Sequence, residues 1–233
     1  MTIKTILRAA GVLIATCLVA PAFGLVITPL VVNITPGNSA FADIHLLNED
    51  KDHKVYVRVT TQRLLNPGAP HPKWQTLRED PFAFGLSTSR NNLVMAPNSR
   101  QVVRVTSLKK ADQQDRVYRL TIVPLFGNIE APRPRAHEVV HQINLHVGYR
   151  VWVFVRPLVT KRSVSMKQTG KRLVVKNTGN TTVLLHDGIQ CDKAGKQCKD
   201  LSSKRLFAGE SWQEMLPYDT KPQYDTHNMV DDI

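Results

Sequence analysis

The chain has 233 residues, 42% of them hydrophobic, and carries a formal net charge of +12. That length is enough for one large or two small domains. The positive balance favours acidic partners, yet Lys and Arg are scattered through turns and strand faces without an aromatic-interleaved basic cluster, which argues against nucleic acid.

Taken in order, residues 1–24 read as a secretory signal: Lys4 and Arg8 precede an apolar run from Ala9 to Ala20, followed by small residues at Ala20, Ala22 and Gly24. The run is too short to span a bilayer, and no later stretch approaches 18 consecutive apolar residues. The mature chain is expected to be exported and soluble, with about 209 residues and a charge of about +10 once Lys4 and Arg8 are lost. Cys17 leaves with the signal. Cys191 and Cys198, separated by DKAGKQ, then predict one local disulfide closing a hairpin.

The mature sequence is β throughout. FADIHLLN (41–48), KVYVRVTTQRL (54–64), NLVM (92–95), RQVVRVTSL (100–108) and RVYRLTIVPLF (116–126) are rich in β-branched residues and separated by polar turns. This spacing predicts a sandwich. A long loop is expected from Asn66 to near Pro81, and a second irregular connection from Gly127 to Arg135.

The next segment, HEVVHQINLHVGYRVWVFVRP (137–157), has two incompatible readings. Its first five residues are H-E-x-x-H, in which His137 and His141 of a helix would share a zinc ion and Glu138 would activate water. The wider pattern is a strand, because apolar residues hold the odd positions from Val139 to Val155, with His141 as the exception, while Gln142, Asn144, His146 and Arg150 hold even ones. In a strand the two histidines stand roughly 13 Å apart at about 3.3 Å per residue, too far to share a metal. The extended zinc motif also needs Gly and His where Asn144 and Val147 stand. The strand reading prevails, and no metal or cofactor is expected. A strand of this length, about three times the usual five or six residues, suggests donation of an edge to another chain.

Pro157 should end the strand and begin a second, smaller domain, 157–233, after a first domain spanning 25–156. RSVSMK (162–167), KRLVVKN (171–177), TTVLLHD (181–187), the cysteine hairpin, SKRLF (203–207) and ESWQEML (210–216) predict further short strands, with a tight turn over Asn177 to Asn180. The tail after Tyr218 shows no pattern and is expected to be loose.

Several of these segments together resemble the periplasmic chaperones of the chaperone–usher pathway that assembles fimbriae, in its alternate, colonisation-factor type branch. They are LLNPG (64–68), LVMAPNSRQVVRV (93–105), RVYRL (116–120), VGYRVWVFVRP (147–157) and LVVKNTGNTTVLL (173–185), followed by the cysteine pair. The resemblance implies an all-β fold of two immunoglobulin-like sandwiches set in an L. It also implies a non-enzymatic role in the periplasm, with fimbrial subunits and an outer-membrane usher as partners. The chaperone would lend a strand to an incomplete subunit and hold the subunit's terminal carboxylate in the cleft between its domains. Strand parity assigns Val139, Ile143, Leu145 and Val147 as the donor row, with packing in the first domain's own core as the alternative. The usual first-strand cation falls near Val32, which cannot bind a carboxylate, and the last-strand position falls near Trp152, two residues after Arg150. The Tyr-Arg pair Tyr118 and Arg119 makes Arg119 the first choice of anchor, with Arg150, Lys176 and Asn180 as further candidates. The competing readings are a secreted zinc hydrolase using His137, Glu138 and His141, and a structural component of the fimbria itself.

Overall fold

The computed structural model describes residues 24–35, 40–78, 80–125 and 147–226. In chain order the first strands are β1 (Leu25–Thr28), β2 (Val31–Ile34), β3 (Phe41–Asn48), β4 (Val55–Leu64), β5 (Trp74–Thr76), β6 (Leu86–Thr88), β7 (Asn92–Met95), β8 (Arg100–Ser107), β9 (Arg116–Leu125) and β10 (Tyr149–Val155). A single turn of helix, α1 (Pro81–Phe84), lies between β5 and β6. These strands form two facing sheets, one ordered β1-β3-β8-β6 and the other β2-β10-β9-β4-β5, with β7 also paired to β4. Alternate residues of these strands fill the space between the sheets: Ile44, Leu46, Val57, Val59, Val103, Val105, Leu120, Ile122, Val151 and Val153 are all buried there. The chain enters through β1 in one sheet and, after the cis Thr28–Pro29 peptide, continues as β2 in the other, parallel to β10.

The second sandwich holds β11 (Val164–Thr169), β12 (Arg172–Asn177), β13 (Val183–Cys191), β14 (Cys198–Leu201), β15 (Lys204–Leu206), β16 (Ser211–Met215) and β17 (Gln223–Asp225). One sheet runs β11-β12-β16, and the other gathers β14, β15 and β17 around β13. Leu173, Val175, Leu185, Leu206 and Leu216 form its smaller core. The fold is therefore all-β with two sandwiches. Cys191 and Cys198 face each other across β13 and β14 and form the disulfide that their spacing predicted.

Two expectations are corrected. The stretch from Asn66 to Pro81 is not all loop, because Trp74, Gln75 and Thr76 pair with Leu64, Arg63 and Gln62 at the end of β4, and Asp80 then caps α1 through the amides of Phe82 and Ala83. The tail after Tyr218 is not loose throughout, because Gln223–Asp225 pairs with β13 as β17. Its docking depends on remote residues. Gly188 leaves room for the Tyr224 ring, which would collide with a β-carbon at that position. The buried Gln190 amide binds the backbone of Tyr218 and Thr220. The predicted strand 139–155 is described only from Tyr149 onward; Val139, Ile143, Leu145 and the H-E-x-x-H residues lie outside the described residues.

Between the sandwiches lies a buried polar cluster. Arg156, directly after β10, donates through Nη1 to Asp115 Oδ2 at 2.6 Å and to Thr181 Oγ1, while Nε and Nη2 reach Asn33 Oδ1 at 3.0 and 2.7 Å. Asp115 Oδ2 also accepts from the Thr182 amide and the Thr181 hydroxyl, and the Asp115 amide donates to Asn180 O. A carboxylate of the first sandwich thus satisfies donors of the second.

Two outcomes follow. Arg156→Ala leaves Asp115 buried without its cation and should lower unfolding stability in urea by about 3–5 kcal/mol. Thiol labelling of the oxidised, folded protein should modify neither Cys191 nor Cys198, and labelling of both would remove the bridge.

Candidate functional site

The outward row of the second sheet turns toward the second sandwich. On β10, Val151, Val153 and Val155 point into the first core, so Arg150, Trp152 and Phe154 point the other way. Register places Trp152 opposite Arg119 on β9, and Arg119 opposite Gln62 on β4. From the other side Phe207, just after β15, packs its ring 5.7 Å from Trp152. Trp74 of β5 completes the floor at 5.9 Å from Trp152, and Phe154 stacks within 6.2 Å. Leu64 and Val117 pack into the same group. The result is an aromatic floor shared by both sandwiches.

Arg119 stands on this floor. Tyr118 beside it is fully buried, with its hydroxyl donating to Phe84 O at 3.3 Å, so parity turns Arg119 outward. Its guanidinium lies 3.9 Å from the Trp74 ring centroid, and Nε donates to Gln62 Oε1 at 2.7 Å. That fixes the plane of the fork and leaves both terminal nitrogens without a hydrogen bond to any described residue. Burial first, and the charge of Arg150 second, hold its pKa below the usual arginine value. Even so lowered, the group keeps its proton near neutrality, since an arginine cannot be deprotonated in a protein. Arg150, opposite Thr121 and exposed, adds a second cation on the same face.

The other sequence-derived candidates are placed differently. Val32 is buried beside Val153 in the first core. Lys176 is exposed on β12, between Ser165 and Ser211, on the face opposite the second core. Asn180 has both ends of its amide in use: Oδ1 accepts from the Lys161 amide at 2.6 Å and Nδ2 donates to Val159 O at 2.9 Å. It ties the connecting segment 158–163 to the turn before β13. Among the described residues neither Lys176 nor Asn180 contacts Arg119 or Arg150. Val147 is 60% exposed, just ahead of β10.

Sequence reasoning missed Trp74, Gln62, Phe207 and Arg205. One signal was present: Trp152 and Phe154 fall on the polar row of β10, and two large aromatics there require something to cover them. The strand also has an uneven edge. From Trp152 to Val155 it is flanked by β9 and β2, but Tyr149, Arg150 and Val151 are paired by β9 alone among the described residues. No group of three or more potential metal ligands occurs among the described residues.

No family model matches the chain. A curated CS1 fimbrial protein of Escherichia coli, named as a fimbrial subunit, is 24% identical over 197 residues, covering 80% of this chain and 78% of its own. The solved structure of the class 5 fimbriae chaperone CfaA superposes with a TM-score of 0.59 at 14% identity, over 89% of this chain and 94% of that one. The chaperone SafB of Salmonella enterica, solved with the SafA pilin, gives 0.57 at 13% identity, over 88% and 97%. With nearly the full length matched on both sides, the chain has the two-sandwich fold of the fimbrial chaperones.

Proposed function

We propose that this protein is a periplasmic fimbrial chaperone: it binds an incomplete pilus subunit, completes the subunit's sandwich with its own strand, and delivers it to an outer-membrane usher. The observation that carries the reading is the half-covered edge of β10. Beyond the reach of β2, no described strand pairs that side of Tyr149 to Val151, which leaves it for a strand from another chain, and the polypeptide leading into it is the segment with alternating apolar residues. Main-chain pairing gives affinity independent of sequence. Val139, Ile143, Leu145 and Val147 would set register by filling pockets of the subunit.

Arg119 is the terminal-carboxylate anchor in this scheme. Its fork is held by Gln62 and Trp74 with the outer nitrogens presented, the arrangement a bidentate carboxylate needs. Arg150 lies near enough to add charge. The role requires no catalysis, no metal and no nucleotide. The matched solved structures supply support from outside the chain: one holds a chaperone with a pilin and another a chaperone with a tip adhesin. The name of the curated relative raises a structural role in the fimbria as the alternative, against which stand two closed cores in one chain.

Co-expression with the cognate subunit and pull-down tests the site. Arg119→Ala should reduce capture by roughly thirtyfold or more, corresponding to at least about 2 kcal/mol, while lowering the unfolding free energy by only about 1 kcal/mol, the loss of the Gln62 hydrogen bond and the Trp74 contact. Ile143→Asp should abolish capture in a chain that still folds, because a carboxylate would enter an apolar pocket without a partner. Normal yield with Arg119→Ala would move the anchor to Arg150. Metal analysis of the purified mature protein should find no stoichiometric zinc; zinc that disappears on His141→Ala would overturn the strand reading in favour of a hydrolase.

A further inference from the structure

We propose that Arg205, contributed by the second sandwich, is a binding residue for a carboxylate of the partner held in the cleft. It would act as a second cation site distinct from Arg119. The inference rests on the chaperone reading for the identity of that partner, but the site itself follows from the geometry.

Arg205 is the middle residue of β15, opposite Leu184 in register. Its neighbour Leu206 is buried in the second core, so parity turns Arg205 to the opposite face, toward the first sandwich, as Phe207 beyond it shows by meeting Trp152. There the guanidinium carbon lies 5.4 Å from the centroid of Phe154, a fully buried ring of β10. Arg156 lies 4.8 Å from the same ring. Two cations therefore share one aromatic side chain, and they differ in one respect. Arg156 is neutralised by Asp115 at 2.6 Å. The Arg205 guanidinium makes no hydrogen bond and no ion pair with any described residue.

Of the two acidic residues equally near in sequence, Asp200 lies on β14 opposite Ile189, and Glu210 is engaged elsewhere, accepting from the Phe207 amide at 2.9 Å and lying 3.8 Å from Lys204 Nζ. A guanidinium withdrawn from water and lacking a counter-charge is costly, and a ring face offsets only part of that cost. Burial first, and the charge of Arg156 second, press its pKa downward. Arg205 nonetheless stays partly exposed, so an incoming group can reach it. A planar fork with its donors unused takes a carboxylate in preference to a larger or softer anion. Arg119 over Trp74 and Arg205 over Phe154 stand at the two ends of one aromatic floor. An extended peptide with an apolar face and an acid along it fits a floor of this kind.

The test uses the mature full chain labelled with ¹⁵N-arginine, with the Arg205 Nε–H signal identified by its loss in Arg205→Lys. The probes are N-acetyl-Leu-Phe-Gly with a free carboxylate, the same peptide as its C-terminal amide, and the amide N-acetyl-Leu-Glu-Gly. Saturable displacement of the Arg205 signal by the free acid and not by its amide is expected. A response to the acidic side chain as well would show that any carboxylate serves, and a response to the free acid alone would restrict the site to a chain terminus. An Arg205 signal that ignores the acid, or moves equally with the amide, overturns the proposal.

In co-expression, Arg205→Gln should lower subunit recovery at least about tenfold, with partial rescue by Arg205→Lys. Capture lost with Arg119→Ala but intact with Arg205→Gln overturns this inference and leaves the chaperone function standing. A wild-type chain that captures no subunit, yet whose Arg205 answers to the free acid, removes that function and retains the carboxylate site. If Arg205→Gln does not fold, the wild-type titration decides alone.

Discussion

The architecture depends on one buried carboxylate. Asp115 precedes β9, and its Oδ2 gathers Arg156 at the end of β10, the Thr181 hydroxyl and the Thr182 amide. Removing a charge of each sign from water is costly, and such a pair is not in itself evidence of high stability. Its effect is geometric. The bonds to Oδ2 form in one relative placement of Arg156 and the 181–182 turn, so the exit of β10 and the entry to β13 are fixed together. Asn33, taking the other guanidinium nitrogens, adds the end of β2 to the same point.

That joint determines where the aromatic floor lies. Phe154 and Trp152 belong to the strand that ends in Arg156, and Phe207 belongs to the sheet whose first strand begins just after Thr182. With the polar cluster in place the rings of the two sandwiches meet, and Arg119 and Arg205 are left standing on them. The cleft chemistry is thus a consequence of the joint. The two arginines are treated alike: each is set on an aromatic face that holds the cation without neutralising it, which keeps the charge available to an anion. Arg156, which has Asp115, is withdrawn from that role and serves the scaffold.

The edge of β10 is the complementary half. A sheet edge is ordinarily covered or blunted to prevent adventitious pairing. Here β2 covers the strand only from Trp152 onward, a coverage set by where the chain crosses from β1 to β2 at Pro29. In the proposed role, strand pairing at that edge and carboxylate binding on the adjacent face would address different parts of one extended ligand: backbone for the first, charge for the second.

Segments rich in β-branched residues between polar turns determined the all-β class and the major strands, and period-two alternation determined the faces of β10, because burying one side of a pleated strand forces that pattern locally. Val151, Val153 and Val155 were legible on that ground alone. The Cys191 and Cys198 bridge was legible because seven residues suffice to close a hairpin. The outward turn of Arg119 followed from the parity of Tyr118 beside it. Tertiary structure alone decided what that arginine stands on. Trp74 reaches it through a three-residue strand inside an apparent loop, and Gln62 through a register between strands nearly 60 positions apart. Strand β17 was invisible because Gly188 and Gln190, far upstream, make its seat. Arg205 and the Asp115–Arg156 pair were hidden for the same reason: a charged residue on a strand reads as solvent-facing in any local window, and only the approach of a second sandwich puts it beneath an aromatic ring or beside a buried carboxylate.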